Sequence, residues 1–218
     1  VVELSILKNA KSPCKILCLG AHSDDIEIGC GGTILRLLRG NRNLEFYWVV
    51  FSAGPRRDRE ARQSANLFLR RARRKTVVVK NYRTSFFPFI GIEIKEFFEE
   101  LKAAVSPDVI FTHYRDDLHQ DHRLISDLTW NTYRNHWILE YEIPKYDGDL
   151  GSPNCFVPLG ASTCQRKVRY LLSVFRTQRN KHWFTKEIFL GLMHLRGMEA
   201  NSGSRYAEAF YSRKLLLG

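Results

Sequence analysis

The sequence predicts an α/β fold, a mostly parallel sheet with helices on both faces. Two observations carry this. Short apolar runs rich in β-branched and aromatic residues alternate with longer stretches of helical periodicity. The 218 residues contain no internal repeat, low-complexity tract or linker, so 1–218 reads as a single domain built on one sheet.

Lys15 to Leu19 is a short apolar run ending at Gly20, which predicts a strand followed by a polar loop. Ile28 to Leu38 has helical spacing, and Leu44 to Phe51 is a strand rich in aromatic residues and valine. Arg57 to Arg71 is predicted helical, with Ala61, Ala65, Phe68 and Ala72 as its apolar stripe. A short strand follows at Thr76 to Val79. Ile92 to Val105 carries Ile94, Phe97, Phe98 and Leu101 at helical spacing and stops before Ser106-Pro107. Asp108 to Thr112 is the next buried strand. A helix over Asp121 to Trp137 would place Trp130, Tyr133 and Trp137 on one face, a pattern expected of core packing before sugar stacking. Between Tyr141 and Pro158, Pro144, Gly148, Gly151, Pro153 and Pro158 predict a long irregular segment. Such loops usually carry function. Tyr141 and Tyr146 are its candidate pocket walls. Helices over about 161–178 and 185–196 complete the pattern.

Composition narrows the function. Apolar residues at 44% and charged residues at 26% exclude a disordered chain. Residues 1–13 hold only isolated apolar residues, broken by Glu3, Lys8 and Lys11, so no signal-peptide core is expected. The longest apolar stretches, such as Tyr47 to Phe51, fall far short of the ~20 residues a membrane helix needs. The reading is a soluble, cytoplasmic protein without a membrane span. Cys14, Cys18, Cys30, Cys155 and Cys164 are odd in number and include no CxxC pair, which argues against a disulfide framework or a cysteine-rich zinc module. The net charge of +11 is concentrated in Arg56 to Lys75. Clustered arginines neutralise nucleic-acid phosphates, but charge patterning alone is weak evidence for a partner. A solvated helix face is the better reading, and no specific nucleic acid is expected. A phosphate-bearing handle on a substrate remains open.

Two segments concentrate chemistry. Gly20-Ala-His-Ser-Asp-Asp-Ile-Glu27 follows the first strand, and Thr112-His-Tyr-Arg-Asp-Asp-Leu-His-Gln-Asp-His-Arg123 ends the later one. In open α/β sheets ligands bind outside the carboxyl ends of the strands, where strand order reverses. The two segments meet there if the later strand adds to the free side of the first. His22, Asp25 and His122 would then give Zn²⁺, or another divalent metal, two neutral nitrogens and one oxygen, with a position left for water. Asp24 is a spare carboxylate placed to take a proton from that water and return it to a leaving amine. His119 is a candidate donor to an oxyanion, with Asp117 or Asp121 orienting its imidazole. His113, His136, His182 and His194 lack this setting and read as structural. Gly29-Cys30-Gly31-Gly32 is no dinucleotide site. Its glycines follow the turn, and the turn holds carboxylates that repel phosphate. Close packing beneath the site loop is their expected role.

At these residues the sequence resembles the PIG-L/LmbE-like deacetylase family. AHSDDIEIGCGGT matches the family's AHPDDExxGxGGT, and LHQDHR with Asp117 before it matches DxHxDHR. RGME around Arg196 and AEAF at Ala207 to Phe210 add to the likeness. The resemblance implies a Rossmann-like fold and zinc-dependent N-deacetylation of glucosamine-type conjugates. The ligands would be His22, Asp25 and His122, the base Asp24 and the oxyanion donor His119. Ser23 replaces the usual proline, and Ile26 the common glutamate, with Glu27 next to it. Arg57, in an RxxEA pattern with Glu60, resembles a segment near the substrate. Arg57, Tyr146 and Asp147 are thus candidate contacts to an N-acylated amino sugar or glycoconjugate. A basic nucleic-acid-binding protein and an inactive family member are the alternatives.

Overall fold

The chain is described from a computed structural model covering residues 13–215. The reading of a missing signal-peptide core lies, except for Pro13, outside the described residues. In chain order these form β1 (Cys14–His22), α1 (Asp25–Gly40), β2 (Leu44–Ser52), α2 (Pro55–Phe68), β3 (Arg74–Val79), α3 (Gly91–Ala104), β4 (Val109–His113), α4 (Gln120–Thr132), β5 (Trp137–Tyr141), β6 (Cys155–Pro158), α5 (Ala161–Val174), α6 (Lys186–Glu199) and β7 (Ala207–Tyr211). Short 3-10 turns sit at Phe87–Ile90 and Arg176–Gln178.

The strands make one sheet in the order β3-β2-β1-β4-β5-β7-β6. β1 pairs in parallel with β2 on one side and β4 on the other. The chain therefore builds outward from β1, then crosses back to its free side. Alternate residues of β1 enter opposite cores, as strand geometry requires. Ile16 and Cys18 pack with Cys30, Ala61, Cys164 and Phe189, while Leu17, Leu19 and Ala21 pack with Ile94, Phe98 and Ile125. One face thus carries α1, α2, α5 and α6, the other α3 and α4. Among the described residues no helix is long and apolar enough to cross a membrane.

The sequence reading fails in the second half of the sheet. α4 ends at Thr132, and Trp137 opens β5 against β4 instead of closing the helix. Tyr141 is the last residue of β5 and wholly buried. Its hydroxyl donates to the Leu19 carbonyl at 2.7 Å, so it is a core residue and not a pocket wall. β6 and β7, an antiparallel pair at the sheet edge, fall within stretches that read as irregular or helix-flanking. Four residues ending in a proline are a weak strand signal, and β6 meets its partner only across two intervening helices.

The glycine run at the start of α1 lets the helix lie close to the sheet. A Cβ on Gly29 would sit 2.1 Å from the Tyr141 ring, and one on Gly32 2.8 Å from the Glu208 carboxylate. Glu208 accepts the amides of Gly32 and Thr33 at 2.7 and 2.6 Å and pairs with Lys167 at 2.7 Å. The RGME piece is likewise structural. Arg196 binds Glu142 at 2.6 Å and the Gly151 carbonyl at 3.0 Å, stapling the 141–158 segment to α6.

Candidate metal centre

The two His/Asp segments meet at the carboxyl ends of β1 and β4, neighbours at the point where strand order reverses. His22 is the last residue of β1, and Asp24 and Asp25 sit at the start of α1. His119 caps α4 and His122 lies in its first turn. All but His119, which is half-buried, are buried.

His22 Nδ1, Asp25 Oδ2 and His122 Nε2 form a triangle with edges of 3.2, 3.4 and 3.6 Å. Tetrahedral zinc, with bonds of about 2.0–2.1 Å to nitrogen and oxygen, separates its ligand atoms by about 3.4 Å. The donor set therefore fits a small divalent cation. Each imidazole is also oriented from behind. His22 Nε2 lies 3.2 Å from Asp121 Oδ2, and His122 Nδ1 lies 2.9 Å from Asp117 Oδ2. A carboxylate on the far nitrogen fixes the tautomer and turns the other lone pair toward the centre of the triangle.

This corrects the sequence reading of the two carboxylates. They orient the imidazoles of His22 and His122, not that of His119. Asp121 is itself held by the amides of Ser85 and Phe87 at 2.6 and 3.2 Å. Asp117 accepts the His119 amide at 2.8 Å and pairs with Lys145 at 3.0 Å. The His119 side chain takes its direction from the helix instead: its Nδ1 accepts the Asp121 amide at 3.2 Å. In the neutral ring the proton then resides on Nε2, leaving a donor free. Burial and the nearby His22 lower the His119 pKa, which keeps the ring neutral.

Two other histidine groupings lie close by. One ring nitrogen each of His22, His119 and His122 fall within 4.8 Å of one another, as do ligand atoms of Asp25, His113 and His122. His119 uses Nδ1 as a helix cap. His113 Nε2 accepts the Ala21 amide at 2.9 Å, so its lone pair is engaged, although it lies 3.3 Å from Asp25 Oδ2. Asp25 Oδ2 accepts the His22 amide at 2.6 Å, but a carboxylate oxygen keeps a second lone pair, so His22, Asp25 and His122 each retain one to direct at the centre of the triangle. His113 nevertheless belongs to the site. It is fully buried, and its ring stacks on His122 with centroids 4.0 Å apart. Sequence reasoning missed it. The available signal was its position as the last residue of β4, matching His22 at the end of β1. His136 and His194 pack against Tyr133 and Tyr206, and His182 is exposed, all apart from the site.

The charges around the triangle are shifted strongly by burial and by one another. Burial pulls His22 down, but the Asp25 charge and bonds to Asp121 and Asp25 outweigh it and lift the imidazole to about 9. Burial and His113 push His122 down to about 3. The close imidazole pair thus favours one positive charge shared between the two rings. Burial opposes ionisation of Asp25, yet His122, His22 and His113 hold its pKa well below the usual range. Asp24 differs. Burial raises its pKa, with Arg57 opposing, which brings it nearer the proton affinity useful in a base. Burial pushes Glu27 well above the carboxylate range, so it adds no further negative charge.

Arg57 contacts Asp24 directly, Nη2 to Oδ1 at 2.5 Å, and Glu60 of the same pattern binds the amide and hydroxyl of Thr177 at 3.0 and 2.6 Å. The RxxEA segment therefore holds the candidate base and staples α2 to the turn after α5. Tyr146 is 71% exposed and Asp147 is also exposed. Their neighbours reach inward: Lys145 pairs with Asp117 and Asp149, and Asp149 Oδ2 accepts the Leu118 amide at 2.7 Å.

The family model described as PIG-L, GlcNAc-PI de-N-acetylase, matches residues 17–133. No curated protein matches the chain. Among solved structures, N,N'-diacetylchitobiose deacetylase from Pyrococcus horikoshii is 20% identical with a TM-score of 0.66, covering 94% of this chain and 87% of that one. A conserved protein from Thermus thermophilus is 18% identical with a TM-score of 0.74, covering 93% and 96%. GalB, the 4-carboxy-2-hydroxymuconate hydratase from Pseudomonas putida, is 16% identical with a TM-score of 0.67, covering 94% and 98%. At these identities the likeness establishes the Rossmann-like α/β fold, and that fold is shared by a deacetylase and a hydratase. The family match runs from β1 through α4 and so spans every residue of the candidate centre, over more than half of the sequence. The chain belongs to the PIG-L, GlcNAc-PI de-N-acetylase, family.

Proposed function

We propose that this chain is a zinc-dependent hydrolase that removes the N-acetyl group from an amino sugar borne on a larger conjugate. The carrying observation is the His22–Asp25–His122 triangle with the Asp24 carboxylate beside it. Since the fold accommodates a hydratase as well, the amide is supported by the family match and the fold alone does not favour it.

A divalent cation held by those three residues supplies Lewis-acid activation of water and of the amide carbonyl. The protein's own groups account for the protons. Asp24, its Oδ1 engaged by Arg57, has Oδ2 left to accept a proton from the attacking water as the new C–O bond forms. His119 Nε2–H donates to the carbonyl oxygen as it becomes an oxyanion. Asp24 then passes its proton to the amide nitrogen as the C–N bond breaks, releasing acetate and the free amine. Arg57 acts as a positioning residue for Asp24. Tyr146 and Asp147 line the outer rim of the sugar site in this reading, on a loop that Lys145 and Asp149 tie to the centre.

His119→Ala is expected to lower kcat roughly 10²–10³-fold, the cost of one oxyanion donor, with metal content unchanged. Rates near wild type would remove His119 from the mechanism. The substrate is tested by amine release from free N-acetylglucosamine and from its nucleotide-linked and glycosidically linked forms, at low and high salt. A higher kcat/KM on a linked form is expected. Equal values would remove the conjugate, and inactivity on every N-acyl sugar would overturn the substrate class.

A further inference from the structure

A second, strongly basic hollow lies apart from the metal centre. It opens between the C-terminal ends of α1 and α2 and the outer face of α5, and has a volume of about 440 Å³. Arg39, Arg70, Arg71, Arg166 and Arg169 line it, over a floor that includes buried Phe68 and half-buried Tyr170. No carboxylate contributes to its wall. We propose that this hollow binds a compact ligand bearing two or more linked phosphates, held by these five guanidinium groups.

Basic residues near the C-terminus of a helix commonly do no more than complement its dipole. That explanation reaches Arg39, Arg70 and Arg71, which close α1 and follow α2. It does not reach Arg166 and Arg169, which lie in the middle of α5 and face the same hollow. The two helix ends contribute about half a negative charge each, far less than five full positive charges. Three arginines elsewhere around α2 are paired, Arg57 with Asp24, Arg62 with Asp58 and Arg73 with Glu45. Among the described residues none of the five takes part in an ion pair. Five like charges around one concavity repel one another, and a polyanion relieves that repulsion while offering the planar guanidinium groups paired oxygen acceptors.

Shape favours a small ligand over nucleic acid. The volume falls in the roughly 300–1,000 Å³ range of small-molecule sites, and the charges converge on a hollow instead of following a ridge. The site is also remote from the reaction. Arg39 stands fourteen residues beyond Asp25 on α1, about 21 Å along the helix axis. A phosphate on the substrate itself would have to span that distance.

The test is calorimetric titration of the full chain with tripolyphosphate and with orthophosphate at low and high salt, then displacement with a random DNA duplex. Tripolyphosphate is expected to saturate at one per chain and to bind more tightly than orthophosphate. Arg70→Ala combined with Arg166→Ala should weaken it by at least about tenfold, since each charge-assisted bond alone carries that much. Arg59→Ala combined with Arg62→Ala, elsewhere on α2, should leave it unchanged. Amine release and the thermal midpoint should hold in both double variants. Absence of saturable binding, equal loss in both double variants, unchanged affinity in Arg70→Ala/Arg166→Ala, or duplex binding that tripolyphosphate fails to displace would each overturn the proposal.

Discussion

His122→Ala is expected to empty the metal site and abolish turnover while the fold survives. Its Nε2 is one corner of the donor triangle, and its ring stacks between His113 and His119. Loss of an outer partner of a metal ligand already costs about 10–100-fold in affinity, so loss of the ligand itself should exceed that range. The rest of the structure has other supports. Asp117 keeps Lys145 and the His119 amide, and the cores on either face of the sheet do not include His122. Metal analysis and far-UV circular dichroism on the same preparation would check both halves. Full occupancy in the variant would transfer the ligand role to His113 or His119, whose ring nitrogens lie nearby.

Asp24→Asn should separate binding from chemistry. The amide is nearly isosteric and leaves the triangle of His22, Asp25 and His122 untouched, but it cannot take the proton that the carboxylate takes. A loss on the order of 10²–10⁴-fold in kcat is expected with metal retained. The Arg57 guanidinium would then face a neutral group in a buried pocket, so a modest loss of stability should accompany the loss of rate. Wild-type turnover in this variant would remove Asp24 as the base.

What the sequence discloses here is mostly local. The apolar run before Gly20 and the one before His113 mark strand ends, and the topology rule brings the loops after them together without coordinates. His113 escaped because its role depends on register. Only when β1 and β4 lie side by side does its ring meet the Ala21 amide and Asp25. Asp117 and Asp121 were legible as carboxylates near ligands, but their partners were not. Proximity in the chain suggests His119. The start of α4 instead turns the His119 ring onto the Asp121 amide and leaves both carboxylates to face His22 and His122. β6 and β7 pair across two helices, and no local pattern in Cys155 to Pro158 announces a partner so far along the chain. Tyr141 misled for a related reason: it opens the proline- and glycine-rich stretch that reads as a loop, while its neighbours in space are Gly29 and the Leu19 carbonyl.

The most direct test of the account is a zinc titration of metal-stripped protein with amine release from an N-acetylated sugar conjugate followed at every point. The account predicts that activity rises in proportion to bound metal and reaches its plateau at one zinc per chain. Turnover by the fully stripped protein, or a plateau that requires two ions per chain, would contradict a single catalytic metal held by His22, Asp25 and His122.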